Sequence, residues 1–396
     1  MENLPVPKYV RHILGQLEAQ GFEAYAVGGC VRDMLLGKRP DDWDICTSAA
    51  PEQVCEVFSH TIPTGIAHGT VTVIQNGSHA EVTTFRLDGN YTDHRRPESV
   101  SFIADLSGDL QRRDFTINAM ALDASGKLYD PCGGLSDLEK KLIRCVGQPE
   151  KRFSEDALRM LRALRFSATL GFSVDNSTLD AIYKCAPLCR SLAAERISAE
   201  LQKVLLSPRP EYIELLVSAG LLSEYVNPPK APPLSALNHL PKNAELRWTG
   251  LCALLKNSGS IDDCGAFLSA LRLDGTTIRN AAAACALAES NTYFSPLDWK
   301  RLISQFGLPT AKCAAAAVFV LSDKNALPLL GKISRSGEPL TLRELALNGD
   351  DLKAAGFSGR QLGKALQLLL DHVLEFPADN TKAVLLKILN THGDSF

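Results

Sequence analysis

Gly28-Gly29-Cys30-Val31-Arg32-Asp33, followed closely by Asp42-Trp43-Asp44, is the stretch on which the reading of this chain turns. Tyr25-Ala26-Val27 just before it reads as a strand, and Val31 to Leu36 as the start of a helix. Glycines at such a junction let backbone N–H groups approach an anion closely. Trp43 to Thr47 reads as a second short strand, and residues two apart on a strand share a face. Asp42 and Asp44 are therefore expected side by side, where they repel each other unless a cation or a proton lies between them. Alone, an acidic triplet extended by Asp41 would describe a solvated turn. A glycine turn for phosphates beside a carboxylate pair for Mg²⁺ is instead the chemistry of phosphoryl or nucleotidyl transfer.

Outward from this stretch, residues 7–20 carry Val10, Ile13, Leu14 and Leu17 at helical spacing. Short strands are expected at 23–27, 43–47 and 70–75. Asn76-Gly77 signals a hairpin turn into a returning strand at 79–85. Residues 86–98 are polar and non-periodic and read as a loop, before a further strand at 100–103. Glu81, on the returning strand, is the candidate third carboxylate. From about residue 150 the strand signals fade. Ser154 is the expected N-cap of a helix through Phe166, with Glu155 and Asp156 in its first turn. Residues 194–206 read as another helix, and Pro228 to Pro233 as a linker. The fold class is α+β: a mixed-sheet head followed by an all-helical remainder.

Composition narrows the class. The 396 residues suffice for several compact units, and 45% hydrophobic with 22% charged residues is ordinary for a globular chain. A net charge of −3 points away from a strongly basic nucleic-acid binder. No signal peptide and no membrane-spanning apolar run is visible, so the expected location is the cytoplasm. The alanine-rich runs at 281–284 and 314–317 read as tightly packed helices. The eleven cysteines are scattered without C-x-x-C spacing, and reduced, mostly buried thiols are expected. The eight histidines form no motif, and His68 reads as structural.

Asp156, Arg159, Arg162 and Arg165 are spaced by three. On a helix they trace a slanting stripe, while Met160, Leu161, Ala163 and Leu164 would seat the other side against a core. The stripe is expected to face a cleft.

Taken together, Gly28 to Gly37 and Asp42 to Ala49 closely resemble the class II tRNA nucleotidyltransferases, the CCA-adding enzymes, which share a head with bacterial poly(A) polymerases. Arg112 to Met120 resembles that family's ribose and triphosphate motif, Glu155 to Arg159 its nucleobase motif, and Glu195-Arg196-Ile197 with Glu200 its helix-supporting motif. Asp130 to Gly134 resembles its hinge, and the loop 86–98 its flexible loop. Gly356 to Gly363 reads either as an RNA-backbone contact or as a helix boundary.

The resemblance implies that Asp42 and Asp44 bind Mg²⁺. It implies that Gly28, Gly29 and Arg32 contact the nucleotide at its phosphates, that Arg113 holds it, and that Asp114 and Asn118 lie near its ribose. Asp156 and Arg159 would read the base, with Arg162 and Arg165 along the same wall. An ionised Asp only accepts and an Arg only donates, a pattern that suits cytosine and adenine and rejects uracil and guanine. The implied activity is untemplated addition of CCA to tRNA 3′ ends from CTP and ATP. The implied division is a head at 1–148, a neck at 149–206, a body at 207–340 and a tail at 341–396, with the helical part gripping the tRNA acceptor arm. The rival readings are an A-adding enzyme, a poly(A) polymerase, and a non-catalytic RNA-binding protein with an inert head.

Overall fold

The computed structural model of the protein describes residues 4–66, 69–75, 77–88, 100–102, 105–227, 232–290 and 294–391. His68, Asn76, most of the loop 86–98 and the start of the proline-rich linker lie outside them. The chain forms two compact units, Met1–Glu224 and Tyr225–Phe396.

The first unit opens with α1 (Lys8–Ala19), β1 (Ala24–Val27), α2 (Gly29–Leu35), β2 (Asp44–Thr47) and α3 (Pro51–Val57). Then come β3 (Thr61–Gly65), β4 (Thr70–Gln75), β5 (Ser78–Thr84), β6 (Arg86–Asp88), β7 (Val100–Phe102) and α4 (Leu106–Gln111). After α4 follow β8 (Ala121–Leu122), β9 (Leu128–Tyr129), α5 (Gly134–Glu139) and β10 (Leu142–Ile143). Seven strands form one sheet in the order β3-β4-β5-β2-β1-β8-β9, while β6 and β7 make a separate two-stranded ribbon. The β4–β5 hairpin pairs Gln75 with Ser78, and Gly77 takes a φ of 76° in its turn. The unforeseen β3 contains Pro63 and lies at the sheet edge, where a missing N–H costs no ladder bond.

Strand alternation sorts the sheet's side chains. Ala24, Ala26, Ile45, Val71, Val73, Ala80 and Val82 pack on one face with α1, whose Val10, Ile13, Leu14 and Leu17 are fully buried. Each such aliphatic side chain contributes about 1.5–3 kcal/mol. Val27, Cys46 and Phe85 lie on the other face with Leu106 and Leu110 of α4. Asp44, two residues before Cys46, belongs to that second face.

Helices dominate from α6 (Pro149–Glu155) and α7 (Leu158–Leu170), with β11 (Ser173–Val174), α8 (Asn176–Cys185), α9 (Ala194–Leu205) and α10 (Ile213–Ser218) completing the unit. The expected single helix from Ser154 is two helices. Ser154 lies inside α6 and donates to the Lys151 carbonyl, whereas Asp156 sits in the break and accepts from Leu158 N–H at the start of α7. The strand β11 pairs in parallel with β10, so the expected border at 148/149 runs within one packed unit. Asp130 accepts from the N–H groups of Gly134 and Leu135 in a tight turn. A Cβ on Gly134 would fall 2.2 Å from the Thr116 carbonyl oxygen.

The second unit holds α11 (Ala244–Asn257), α12 (Cys264–Ala270), α13 (Gly275–Ser290), α14 (Pro296–Ser322), α15 (Leu327–Ile333), α16 (Gly349–Ala354), α17 (Gly359–Glu375) and α18 (Lys382–Thr391). Ala314 to Ala317 are fully buried where α14 packs on α11 and α13. Among the described residues α14 has the length and apolarity to cross a membrane. It is broken at Gly307, with φ of 84°, and 61% of its apolar window is buried in the unit. A separate core joins Leu345, Leu347, Leu352, Leu369, Val373 and Leu385. Ser358 immediately precedes α17, so the 356–363 stretch is a helix boundary. All eleven cysteines are free and eight are buried.

Candidate active site

Three carboxylates gather at one end of the sheet. In the parallel pairing of β2 with β5, Asp44 stands in register with Glu81, and Glu81 N–H donates to the Trp43 carbonyl. Asp42 lies outside the strand, which starts one residue later than the expected Trp43. Ladder pairing begins at Asp44, and Asp42 occupies the bend before it. Trp43, 3% exposed, is drawn into the head core and leaves both flanking aspartates facing outward. Asp42 lies 3.7 Å from His79 Nε2, two residues before Glu81. Crowding by the protein raises the Asp44 carboxyl above the usual range; Arg113 opposes this, and Glu81 and Asp42 add to it. Among the described residues no group of three or more His, Cys, Asp or Glu side chains is placed to hold a metal ion by itself. Hard oxygen donors along an open edge fit Mg²⁺, which keeps waters and substrate phosphates as ligands.

The glycine turn lies directly beside this edge. Gly28 has φ of 85°, and a Cβ there would lie 3.1 Å from Arg113 Nη1 and 3.8 Å from Asp44 Oδ2. Arg113 follows α4, whose N-terminus is capped by Asp105 through the N–H groups of Ser107 and Gly108. Arg113 is held by Asp109, which is fully buried and accepts from Arg113 Nη2 at 3.1 Å and from Arg112 Nη2 at 2.7 Å. Burial would raise the Asp109 carboxyl, but Arg113 and Arg112 outweigh it and hold it ionised. Arg113 Nε is buried with no partner among the described residues.

Beyond Arg113 runs a chain of buried polar contacts. Arg162 donates to Asp114 Oδ2 at 2.8 Å, Asn118 Nδ2 donates to Asp114 Oδ1 at 3.3 Å, and Arg32 Nη1 donates to Asn118 Oδ1 at 2.7 Å. Burial works against the Asp114 carboxylate, yet Arg162 and the bonds from Arg162 and Asn118 bring its pKa down to about 2. Arg32 is 8% exposed and also pairs with Asp33. The guanidinium groups of Arg32, Arg162 and Arg165 lie 5.2, 5.4 and 3.6 Å from the Phe166 ring. Cation–π attraction to one desolvated ring offsets part of the repulsion among three like charges.

The expected stripe is present but is not a solvated basic face. Its members are individually paired. Arg196 Nη2 donates to Asp156 Oδ2 at 2.8 Å, Arg159 Nη1 to Glu155 Oε2 at 2.6 Å, and Arg165 Nε to Glu200 Oε2 at 2.6 Å. Arg159 also donates to the Arg112 and Arg152 carbonyls. Met160, Leu161, Ala163 and Leu164 are buried as expected, and Arg159 is buried with them.

The fold thus brings Gly28, Asp44, Glu81 and Arg113 together, and links Arg32, Asp114, Asn118 and Arg162 in one network. Gly29 borders Arg32. Asp156 and Arg159 flank the helix break. Sequence reasoning missed Asp109 and Phe166. The signal for Asp109 was present: an acid three and four residues before Arg112 and Arg113, at the spacing at which helix side chains meet.

Known proteins resemble this chain over most of its length. The family described as the Poly A polymerase head domain matches residues 24–144, and that described as the probable RNA and SrmB-binding site of polymerase A matches 171–228. The CCA-adding enzyme of Geobacillus kaustophilus is 40% identical over 91% of this chain and 90% of its own length. That of Limosilactobacillus fermentum is 38% identical over 98% of both chains. The crystal structure of the Bacillus stearothermophilus CCA-adding enzyme in complex with CTP superimposes with a TM-score of 0.81 at 33% identity, covering 98% of this chain and 99% of that one.

Proposed function

The chain belongs to the family of CCA-adding enzymes, and on that premise we propose that it builds CCA on tRNA 3′ ends from CTP and ATP without a nucleic-acid template. The observation that carries this reading is the close approach of Gly28, Arg113 and Asp44, which sets a guanidinium beside a glycine turn and a carboxylate.

Asp42 and Asp44, with Glu81 as the third carboxylate, would hold Mg²⁺. When bound, Mg²⁺ supplies a counter-charge for the triphosphate and the developing oxyanions. Arg113 contributes its own positive charge to the triphosphate. The Gly28 N–H is already given to the Met120 carbonyl, so it is the Gly29 N–H that would approach the triphosphate, past a Gly28 that carries no Cβ. Asp114 and Asn118 border the ribose, held by Arg162 and Arg32. The tRNA 3′ hydroxyl gives its proton to solvent and attacks the α-phosphorus in line, the bond from that phosphorus to the α,β-bridging oxygen breaks, and pyrophosphate leaves with its electrons.

Base choice falls to Asp156 and Arg159. A carboxylate has about four acceptor sites. Bonds from Arg196 and Leu158 therefore orient Asp156 and still leave it able to accept the amino group of cytosine or adenine. Glu155 and the Arg112 and Arg152 carbonyls orient Arg159 to donate to the ring acceptors. Uracil and guanine would turn a carbonyl oxygen toward Asp156 and be rejected. The helical second unit contributes tRNA contacts, by shape and phosphates rather than by base sequence.

The test uses tRNA transcripts ending before CCA, after C and after CC, each offered CTP, ATP or both with Mg²⁺. CMP addition to the first two and AMP addition to the third are expected. AMP addition to the CC-ended transcript alone would reassign the protein as an A-adding enzyme, long A tails would make it a poly(A) polymerase, and no incorporation would make it an RNA binder with an inert head. Asp42→Ala should abolish addition, and retained activity refutes its metal role.

A further inference from the structure

We propose that Asp109 is a positioning residue for nucleotide selection, clamping Arg112 and Arg113 together so that the triphosphate grip and the base-reading helix respond as one. This rests on the function proposed above.

The carboxylate of Asp109 is fully buried and receives three charged side-chain bonds. Arg112 Nε and Nη2 donate to Oδ1 at 3.0 and 2.7 Å, and Arg113 Nη2 donates to Oδ2 at 3.1 Å. The Arg86 N–H, in the first residue of β6, approaches Oδ1 at 3.4 Å. On the Oδ2 side, Arg113 extends to the Gly28 turn and Asp44. On the Oδ1 side, the backbone carbonyl of Arg112 accepts from Arg152 Nη1 at 3.2 Å and from Arg159 Nη2 at 3.3 Å. Those two arginines share Glu155 Oε2. One buried carboxylate therefore spans the path from the phosphate corner to the base reader, through bonds whose donors are all guanidinium groups.

Asp109 reaches neither the carboxylate edge nor the base-reading pair directly, so its effect passes through the two arginines. An amide in its place keeps the shape but aims N–H groups at one guanidinium and loses the charge that holds both. Arg113 then loses its anchor beside Gly28, and Arg112 loses the bonds that fix its carbonyl under Arg159.

The test measures CTP and UTP binding to the full-length protein with Mg²⁺ by equilibrium dialysis. Asp109→Asn should weaken CTP about tenfold or more and also lower the CTP-over-UTP ratio. Arg113→Ala should weaken CTP yet keep the ratio. Adding Asp109→Asn to Arg113→Ala should lower the ratio and cost less further CTP affinity than Asp109→Asn costs wild type, because the Arg113 arm is already gone and only the Arg112 arm is left to lose. CTP affinity within about twofold of wild type, or an unchanged ratio in Asp109→Asn, overturns the proposal. If Asp109→Asn does not fold, Arg112→Met gives the same decision: it removes the Oδ1 bonds and leaves Arg113 paired, so the ratio must fall, and an unchanged ratio overturns the proposal. Wild-type protein that binds CTP in this pattern but adds no CMP to tRNA would sink the function reading and leave the role of Asp109 standing.

Discussion

A methyl group at Gly28 would sit 3.1 Å from Arg113 Nη1 and 3.8 Å from Asp44 Oδ2, on a residue with φ of 85°. Such backbone costs about 1–3 kcal/mol for a residue with a side chain, and the methyl would also displace Arg113. Gly28→Ala should therefore raise the KM for CTP about tenfold while the melting temperature falls modestly; an unchanged KM would remove the turn from the nucleotide site. Asp114 gives a pH prediction. Its carboxyl is brought from the ordinary 3.8 down to about 2. A depressed pKa contributes stability above the unfolded value of about 3.9, which is lost as pH falls through about 2. The contribution is roughly 2 kcal/mol. Denaturant titrations should show Asp114→Asn losing less stability than wild type between about pH 4 and 2; equal slopes would contradict the pairing with Arg162. At this scale the candidates Asp42, Asp44 and Arg113 could be named from residue type and spacing, because the roles proposed for them do not depend on what holds them. Asp109 and Phe166 were not, because their importance lies in partners that only folding supplies.

The break between α6 and α7 is the element that sequence reading misplaced. Ser154, Glu155 and Asp156 are all acceptable near a helix start, so local preference could not choose among them. The choice was made by tertiary contacts: Asp156 is fixed from outside by Arg196 on α9, and Glu155 from inside by Arg152 and Arg159. Asp156 thus caps the start of α7 and, in the function proposed, also faces the base. Asp156→Asn separates the two roles. Asparagine keeps an acceptor for Leu158 N–H, so the melting temperature should stay near wild type. It adds a donor that can meet the uracil carbonyl, so UMP incorporation should rise relative to CMP in a competition assay. Unchanged selectivity would move base reading elsewhere. The long elements were read correctly because α1, α9, β4 and β5 carry strong periodic patterns. The two-residue strands β8 to β11 were not, since two residues contain no period.

At the scale of the whole molecule, the α+β class and the shift from sheet to helices were legible from the fading of strand signals after residue 150. The main boundary was legible in part: Glu224/Tyr225 falls just before the proline-rich stretch read as a linker, whereas the packing of β11, α8 and α9 into the same unit as the head was not foreseen. Every candidate nucleotide-binding residue, from Gly28 to Arg165, belongs to Met1–Glu224. A fragment of that unit should bind CTP within about threefold of the full chain and lose most of its affinity for tRNA, as read by calorimetry; loss of CTP binding in a folded fragment would show that the second unit completes the nucleotide site. The most direct measurement of side-chain templating offers a tRNA ending before CCA all four nucleoside triphosphates at equal concentration and sequences the products. Two C residues, one A and a stop are expected from wild type. Mixed bases, or A residues that continue past the first, would contradict it.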